Sequence, residues 1–422
     1  MTVKPVVPNP KPAAAKARRR RPLPTARPIL EIVKQHAEDA AFLWVQRDRA
    51  VRAPHYNLTL LDRLDGRVEA HVDGLRVAGD AGWEIAKVGI GEPGGYFVVA
   101  ILALDGRDAA RQEVVIESAA AHARSLAAAL AWLPWKRAEA VAKPWLESPS
   151  PALRRAAVAA FALHRRDPGA PLLKAAGDPD AAVCARAIKA LGELGLVKHL
   201  ALAQRALGHA DPGVAFAAAW STALLSKDAG PLIGMVTQDL RRAGRGIPLA
   251  ARQGGADWAR AFPPRLAIMA AGHAGDPAAI PWLLDQMKTP ALARVAGEAF
   301  SMITGADLGS EPLEGKAPEG FEAGPTDDPA DPNVDMDADG DLSWPDPPEV
   351  EKWWKGRSGA FKPGVRYLAG GPMEIPALRG LLRSGYQRIR AAAALELALL
   401  EPGKPLFEVR APGFRQKAGL GA

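Results

Sequence analysis

One spacing of small and large apolar residues recurs along the middle of the chain and limits what it can fold into. An apolar residue is followed by Ala four and seven positions later, and by a large apolar residue eight positions later. This spacing places the four side chains on one face of an α-helix. A single such helix cannot bury its apolar face alone, so the recurrence predicts stacked helix pairs that share one long core. The spacing occurs at Val183, Ala187, Ala190 and Leu191; at Leu153, Ala157, Ala160 and Phe161; at Phe216, Ala223 and Leu224 with Trp220 in second place; at Leu292, Ala296, Ala299 and Phe300; and loosely at Ile389, Ala393 and Leu397 with Glu396 where Ala is expected.

Helix-start signals accompany these segments. In the clearest unit, residues 177–195, Asp178 is predicted to cap a helix whose first position is Pro179. An aspartate accepts hydrogen bonds from free N–H groups of the first turn, and proline lacks the N–H that would be unpaired there. A second helix is predicted from about Val197 to Leu207, packing back against the first. Similar starts are found at Ser150-Pro151, Asp211-Pro212, Asp276-Pro277 and Thr289-Pro290.

These paired helices with cap-then-proline starts resemble HEAT repeats. The resemblance implies an α-solenoid whose extended concave surface binds other proteins. HEAT units usually carry Arg just after the first anchor, where it joins an Asp–Arg ladder between repeats. Arg154 and Arg390 match that position. Because other residue types occupy it in the remaining units, the sequence leaves open whether an Asp–Arg ladder forms; these residues are Cys184, Ala217 and Ala293. We therefore predict an all-α fold, an α-α superhelix of the HEAT-like solenoid type with an irregular acidic insert near the C-terminus.

The same patterns divide the 422 residues into five predicted regions. Residues 1–28 form a basic, disordered tail, and residues 29–134 form an N-terminal helical region. HEAT-like repeats occupy residues 135–304. Residues 305–348 are the acidic irregular insert, and residues 349–422 form a C-terminal helical cap and tail.

A stretch rich in glycine and arginine interrupts the repeats between Thr237 and Pro264. We predict that it is a loop bridging two repeats. Its arginines either bind an acidic partner or simply point into solvent, and the sequence favours the second interpretation because charge alone is not specific. The arginines concerned are Arg241, Arg242, Arg245 and Arg252.

The formal net charge of +7 is misleading as a sign of nucleic-acid binding. Eight Lys and Arg residues and no acidic residue lie within residues 1–28, so the rest of the chain carries a net charge of −1. A nearly neutral body argues against nucleic acid as the partner. The run Arg18–Arg21 either contacts nucleic acid or an anionic membrane, or belongs to a solvated leader or to a start codon assigned too far upstream. The sequence favours the last two interpretations because a short run of charge carries no specificity.

Several other classes are disfavoured. One cysteine, Cys184, fits a small buried side chain in a reducing, cytoplasmic compartment. No run of 18 apolar residues is present, so we expect no membrane span, and no apolar segment of a secretory signal follows the basic N-terminus. The eight histidines lack paired metal-ligand spacing, and the phosphate-binding, dinucleotide and nucleophile-elbow motifs are absent. We predict no catalytic residue, no metal, no cofactor and no enzyme activity.

The insert contains a segment that fits a calcium-binding loop. Acidic residues occupy its first, third, fifth and twelfth positions, Gly340 is sixth and Leu342 is eighth. Against calcium, the twelfth position is Asp rather than the bidentate Glu, Pro345 precedes it, and proline-rich sequence flanks both sides. A calcium-dependent binding module and a solvated acidic loop both stay open. The acidic residues are Asp335, Asp337, Asp339, Asp341 and Asp346.

Aromatic residues follow this loop at once. Trp, Tyr and Arg often anchor protein interfaces, although large aromatics also cover the end of a core. We predict that another protein binds here, and the acidic loop suggests a basic segment of that partner. The predicted partner-binding residues are Trp344, Trp353, Trp354, Arg357, Arg366 and Tyr367.

Residues 61–84, 387–416 and 344–354 are similar to one bacterial family of HEAT-repeat proteins without an assigned activity, and the similarity spans about residues 30–416. Genes for such proteins often lie beside type VI secretion components and effectors. The resemblance implies an accessory role as adaptor or chaperone for a cargo protein, and no catalytic residues. The alternatives are the calcium-dependent module and a HEAT-fold enzyme acting on nucleic acid or a pigment.

Overall fold

The computed structural model describes residues 27–106, 108–309, 312–324 and 336–421. The predicted all-α solenoid is confirmed: within these residues there are twenty-one α-helices and one antiparallel pair of two-residue strands. The predicted basic tail lies almost wholly outside the described residues. The helices are α1 Leu30–Ala50, α2 Leu58–Ala78, α3 Asp80–Lys87, α4 Pro93–Asp105, α5 Ala109–Glu117, α6 Ala123–Trp132, α7 Trp135–Trp145, α8 Pro151–Leu163, α9 Ala170–Ala175, α10 Ala181–Glu193, α11 Leu200–Arg205, α12 Pro212–Ser226, α13 Gly230–Gln238, α14 Leu240–Gly254, α15 Pro264–Ala274, α16 Ile280–Gln286, α17 Pro290–Thr304, α18 Pro347–Arg357, α19 Ile375–Ser384, α20 Gln387–Leu400 and α21 Gly413–Leu420, and the strands are β1 Tyr367–Leu368 and β2 Gly371–Pro372.

The N-terminal region is built around α4. This helix is apolar on every face, and it is buried from Gly94 to Ile101 because α1, α3, α5 and α6 pack around it. Phe97 stacks on Trp44 with ring centres 4.8 Å apart, and the Tyr96 hydroxyl donates a hydrogen bond to the Val115 carbonyl at 2.8 Å.

The repeats stack through the first helix of each pair. Helix α8 packs on α10, α10 on α12, α14 on α15, and α15 on α17, while the shorter α9, α11, α13 and α16 lie on the outer side. The four anchors of the clearest unit, Val183, Ala187, Ala190 and Leu191, have no exposed surface. The predicted apolar spacing therefore describes the inner packing of the solenoid.

The predicted start of α10 is wrong by two residues, because the helix begins at Ala181 and not at Pro179. Asp180, not Asp178, caps this helix by accepting hydrogen bonds from the N–H groups of Ala182 and Val183 at 3.0 Å each. Asp178 is held instead by the guanidinium of Arg154 from the preceding repeat, through two hydrogen bonds of 2.7 and 2.8 Å. The Asp–Arg contact between repeats is thus present here. Its hydrogen bonds with Arg154 lower the pKa of the Asp178 carboxyl.

The other cap-then-proline starts are confirmed only in part, because Ser150 and Thr289 precede α8 and α17 but make no side-chain capping hydrogen bond. Asn57 accepts a hydrogen bond from the N–H of Leu60 at 2.9 Å and starts α2. Asp211 caps α12, and Pro212 occupies the first turn as predicted.

The loop predicted between Thr237 and Pro264 is wrong, because most of this stretch forms α14. Ile247, Leu249, Ala250 and Ala251 are buried on this helix and form the core with α13, α12 and α15. Gly246 permits the close approach, since a Cβ at this position would lie 2.3 Å from Cγ2 of Val236. Tertiary burial here outweighs the poor helix propensity of glycine.

The acidic insert has no α-helix or paired strand between α17 and α18 within its described residues, 305–309, 312–324 and 336–346. It still belongs to the core, because Leu308 and Leu313 are buried against the end of the solenoid. Glu314 and Pro345 form an isolated β-bridge that joins the two sides of the insert.

Behind the insert, Glu396 of α20 occupies the anchor position where Ala was expected. Its side chain is 5% exposed and pairs with two arginines. The Arg366 guanidinium donates to both carboxylate oxygens at 3.0 Å, and Arg252, whose side chain has no exposed surface, donates at 3.2 Å. A buried carboxylate needs such partners, so this position was recruited for an ion-pair network rather than for packing.

Residues 401–412, which we call the C-terminal strap, run without helix or strand from α20 to α21 along the inner side of the solenoid. The Leu406 N–H donates to the Glu193 carbonyl at 2.9 Å, and the Arg165 side chain donates to the Leu406 carbonyl. The strap thereby crosses the ends of α8 and α10 before it reaches the N-terminal helices.

The far end of the strap binds to α1 and α2. Arg47 donates to the carbonyls of Arg410 and Ala411 at 2.7 and 2.9 Å, and its Nε pairs with buried Asp65. Asp65 in turn accepts a hydrogen bond from the Gly413 N–H at 2.6 Å. The stretches around residues 61–84 and 387–416, which carry the family resemblance, therefore meet in space and join both ends of the array.

Candidate functional site

The inner surface carries a cavity of about 1340 Å³. Helices α8, α10, α12, α14, α15 and α17 contribute to its wall on one side, and α20 with the C-terminal strap closes the other side. Because the first helix of each repeat faces inward, its polar positions line this space rather than the outer solvent.

The lining is strongly cationic. Nine Lys and Arg residues face the cavity against three acidic residues. Seven of these cations pair with carboxylates within the protein, whereas Arg155 and Arg245 have no ion-pair partner among the described residues. The cationic lining residues are Arg52, Arg124, Arg155, Arg186, Lys189, Arg245, Arg265, Arg388 and Arg410.

The three acidic lining residues are already engaged. Asp180 and Asp211 accept hydrogen bonds from backbone N–H groups at the starts of α10 and α12. Glu298 pairs with Arg388 at 2.5 Å. None of the three is placed to neutralise the cations of α8 and α14.

Lys189 shows how enclosed this space is. Its side chain is 45% exposed, yet it points into the cavity, where burial lowers the pKa of the ammonium group. Arg186 and Arg410 lower the pKa further by repulsion, and Glu193 opposes them at 3.9 Å. The ammonium also lies 5.3 Å from the ring centre of Trp220. An anion that binds next to a cation in this setting stabilises it, because the anion offsets both the burial and the repulsion.

Among these cations, Arg245 alone was predicted from the sequence as a possible contact for an acidic partner. Arg155, Arg186 and Lys189 occupy polar positions on the first helices of two successive repeats. The signal in the sequence was the position of each cation within its repeat. A polar residue on the first helix of a repeat lies on the concave side when that helix faces inward.

The predicted partner-binding residues separate into an exposed group and a structural group. Trp353 and Trp354 are half-buried on α18, both packing edge-on against Phe300 with ring centres 5.6 and 6.4 Å away. Exposed Arg357 lies over the Trp353 ring at 4.5 Å. These three residues leave an amphipathic surface at this end of the solenoid.

The other three residues contribute mainly to the fold. Tyr367 is only 4% exposed and sits in strand β1, while Arg366 is engaged by Glu396. Half-buried Trp344 is covered on one side by the Arg294 guanidinium at 4.5 Å and contacts Phe321 edge-on. The contacts of these three residues within the protein are enough to account for their presence, and no bound partner protein is needed to explain them.

The candidate calcium loop carries its own cations. Asp339 is 6% exposed and receives two hydrogen bonds from Arg265, and Asp337 pairs with Arg294 at 2.7 Å. Asp346 caps α18 by accepting from the Glu349 N–H. Asp335 lies outside the described residues. With arginines on two of its acidic positions, the described part of the loop is built as an ion-pair network rather than as a solvated acidic loop.

The side chains of the Gly/Arg-rich stretch are also placed. Arg242 pairs with Asp239 at 2.8 Å, Arg252 is buried against Glu396, and Arg245 is exposed toward the inner cavity. Of the described arginines in this stretch, Arg245 alone is both exposed and without a carboxylate partner.

Two features bear on catalysis and metal binding. The Cys184 thiol is buried and donates to the Ala176 carbonyl at 3.1 Å, and burial raises its pKa, which is the opposite of what a nucleophile needs. In the part of the chain that the structure describes, no group of three or more His, Cys, Asp or Glu side chains is placed to hold a metal. Nor is any described helix long and apolar enough to cross a membrane.

Comparison with known families matches residues 168–239 to HEAT repeats. The match covers α9 to α13, the segment where the helix pairs are most regular. No curated protein and no solved structure matches the chain. The matched segment thus consists of HEAT repeats, a type of unit that typically forms protein-binding scaffolds.

Proposed function

We propose that this protein is a non-catalytic scaffold that binds another protein. The observation that carries the proposal is the run of HEAT-repeat helix pairs around an open inner cavity. Stacked repeats offer a large preformed surface, so binding requires little ordering of the scaffold itself. The one cysteine, Cys184, is buried with a raised pKa, so its thiol is not an activated nucleophile.

We further propose that α18 provides one contact surface for that partner. Trp353 and Trp354 are held in position by Phe300 but keep part of each indole in solvent. Arg357 lies against Trp353 and adds a charged rim. Anchored aromatic residues beside an arginine are the composition of interface hot spots. Arg366 and Tyr367, being internal, would act by supporting this surface.

The finer role that we propose is that of an adaptor or chaperone-like accessory protein of a type VI secretion system, acting in the cytoplasm on a cargo or an apparatus component. Its support is the resemblance carried by residues 61–84, 344–354 and 387–416. Two of these stretches form the contact between the ends of the solenoid, and the third forms the aromatic surface, so the resemblance covers both the framework and the proposed contact.

The test is quantitative recovery of partners from the native cell on the immobilised protein, with and without Trp353→Ala/Trp354→Ala. Truncating one hot-spot tryptophan costs about 2 kcal/mol or more, so partner affinity of the double variant is expected to fall by a factor of at least about thirty. The matched control is Trp145→Ala/Trp258→Ala, which removes two half-buried indoles from other surfaces.

Circular dichroism melts of both double variants report whether the fold survives. A folded Trp353→Ala/Trp354→Ala variant that recovers the same partners in the same amounts would contradict the proposed surface. Partners encoded away from any secretion genes would contradict the adaptor role while leaving the scaffold role intact.

A further inference from the structure

The inner cavity carries cations that the protein does not neutralise. Arg155 of α8 and Arg245 of α14 are both exposed to it, and neither has an ion-pair partner among residues 27–106, 108–309, 312–324 and 336–421. Between them in the stack, Arg186 pairs with Glu193 through one nitrogen, but its Nη1 is buried without a hydrogen-bond acceptor. An unmet guanidinium donor in an enclosed site favours an incoming carboxylate or carbonyl.

The neighbouring wall shows what this surface already recognises. The C-terminal strap is an extended stretch of chain, and arginines from the helices hold it by its carbonyl groups, as Arg47 does at Arg410 and Ala411. Arg165 also pairs with the carboxylate of Glu408 in the strap at 3.2 Å. The inner surface therefore already holds an extended segment of its own chain next to the open cavity, and its arginines bind the carbonyl groups and the Glu408 carboxylate of that segment.

Aromatic residues of the cavity argue for a peptide over single-stranded nucleic acid. Binding of single strands depends on bases stacked on aromatic rings. One face of Phe216 is already covered by Arg242 and Arg245, with their guanidinium carbons 5.8 and 5.6 Å from its ring centre, and Lys189 covers Trp220. Much of the remaining lining is alanine, which suits small apolar side chains of a peptide.

We propose that this cavity binds an extended acidic segment of the partner protein. Its carboxylates pair with Arg155, Lys189 and Arg245, its backbone carbonyls accept from Arg186, and its apolar side chains lie on the alanine-rich helices. The inference rests on the proposed scaffold function and adds a second, inner contact whose partner is acidic. It replaces the basic partner segment that the insert suggested, because Asp337 and Asp339 are paired within the protein.

The experiment measures fluorescence anisotropy of a labelled poly-glutamate peptide with the full-length protein at low and high salt. Poly-lysine and an oligo-dT of matched charge are the comparison probes. We expect poly-glutamate to bind, poly-lysine not to bind, and the affinity to fall with salt. The variant Arg155→Ala/Arg245→Ala should bind poly-glutamate about tenfold more weakly, since two interfacial charges are lost.

Arg63→Ala/Arg205→Ala is the matched control, because it removes two exposed arginines that do not line the cavity. Equal weakening by both double variants would overturn the proposal, since the effect would then be one of net charge. Absence of poly-glutamate binding at low salt, or tighter binding of oligo-dT, would also overturn it, the latter in favour of nucleic acid. The α18 surface is untouched in these variants, so its partner recovery separates failure of this inference from failure of the scaffold role.

Discussion

His164 makes the attachment of the C-terminal segment sensitive to acid. Its Nε2 lies 3.0 Å from the Leu130 carbonyl, and its Nδ1 lies 2.9 Å from Nη1 of Arg415. This geometry requires a neutral imidazole, which donates through Nε2 and accepts from the guanidinium through Nδ1. Burial, reinforced by repulsion from Arg415, lowers the pKa of His164 to about 4.

The direction of the effect follows from linkage. A histidine in the unfolded chain titrates near 6.5, so the unfolded state binds a proton that the folded state refuses. The contribution of neutral His164 to the free energy of unfolding is therefore complete above about pH 6.5 and is lost progressively as the pH falls toward about 4. At pH 5 the pKa difference corresponds to a loss of about 2 kcal/mol in the free energy of unfolding from this one residue.

The assay is urea unfolding of the wild type and of His164→Gln at pH 7.5 and pH 5. Glutamine stays neutral, so the wild type should lose about 2 kcal/mol more than the variant between the two pH values. Carboxylates with lowered pKa, such as Asp178 and Asp337, act mainly below their unfolded pKa of about 4, outside this window. His273, whose pKa burial lowers to about 3, contributes in both proteins and cancels from the difference. The same loss in both proteins would refute the assigned role of His164.

Two further predictions concern stability and use denaturant unfolding. Glu396→Gln should lower the free energy of unfolding by about 3–5 kcal/mol, because it leaves the buried Arg252 guanidinium without its carboxylate; a loss below 1 kcal/mol would contradict the importance of this ion pair. Gly413→Ala should lower it by about 1–3 kcal/mol, since a Cβ there would lie 2.5 Å from Cα of Asp62. Gly66→Ala, in open space within α2, should instead raise it by about 0.5–1 kcal/mol, and the same sign for both glycines would count against the steric reason.

The capping of α10 by Asp180 instead of Asp178 shows where local sequence reasoning stops. Both residues flank Pro179, and either has the side chain to cap a helix. The choice is made by Arg154, 24 residues earlier, which binds Asp178 and leaves the capping role to Asp180. Repeat spacing predicted the helices and their buried anchors because those depend on neighbouring residues, whereas this pairing depends on the stacking of two repeats.

The same limit applies to charge. Adding the charges of residues 29–422 correctly describes a nearly neutral body, but it says nothing about their distribution. The cationic inner wall arises only when inward-facing helices bring Arg155, Lys189 and Arg245 together from three different helices. Helix α14 was missed for a related reason, because its glycines and arginines read as a loop until the burial of its apolar face is known.

The strap gives this solenoid mechanical properties unlike those of an open one. An ordinary repeat array behaves as a spring that lengthens and frays from its ends, because each unit contacts only its neighbours. Here the last helix, α21, is joined to α1 and α2 through Arg47, Asp65 and Gly413. The two ends of the array are therefore in contact with each other. A force applied between the two termini is therefore carried first by the contacts of Arg47, Asp65 and Gly413, and the repeats between them are loaded only after those contacts break.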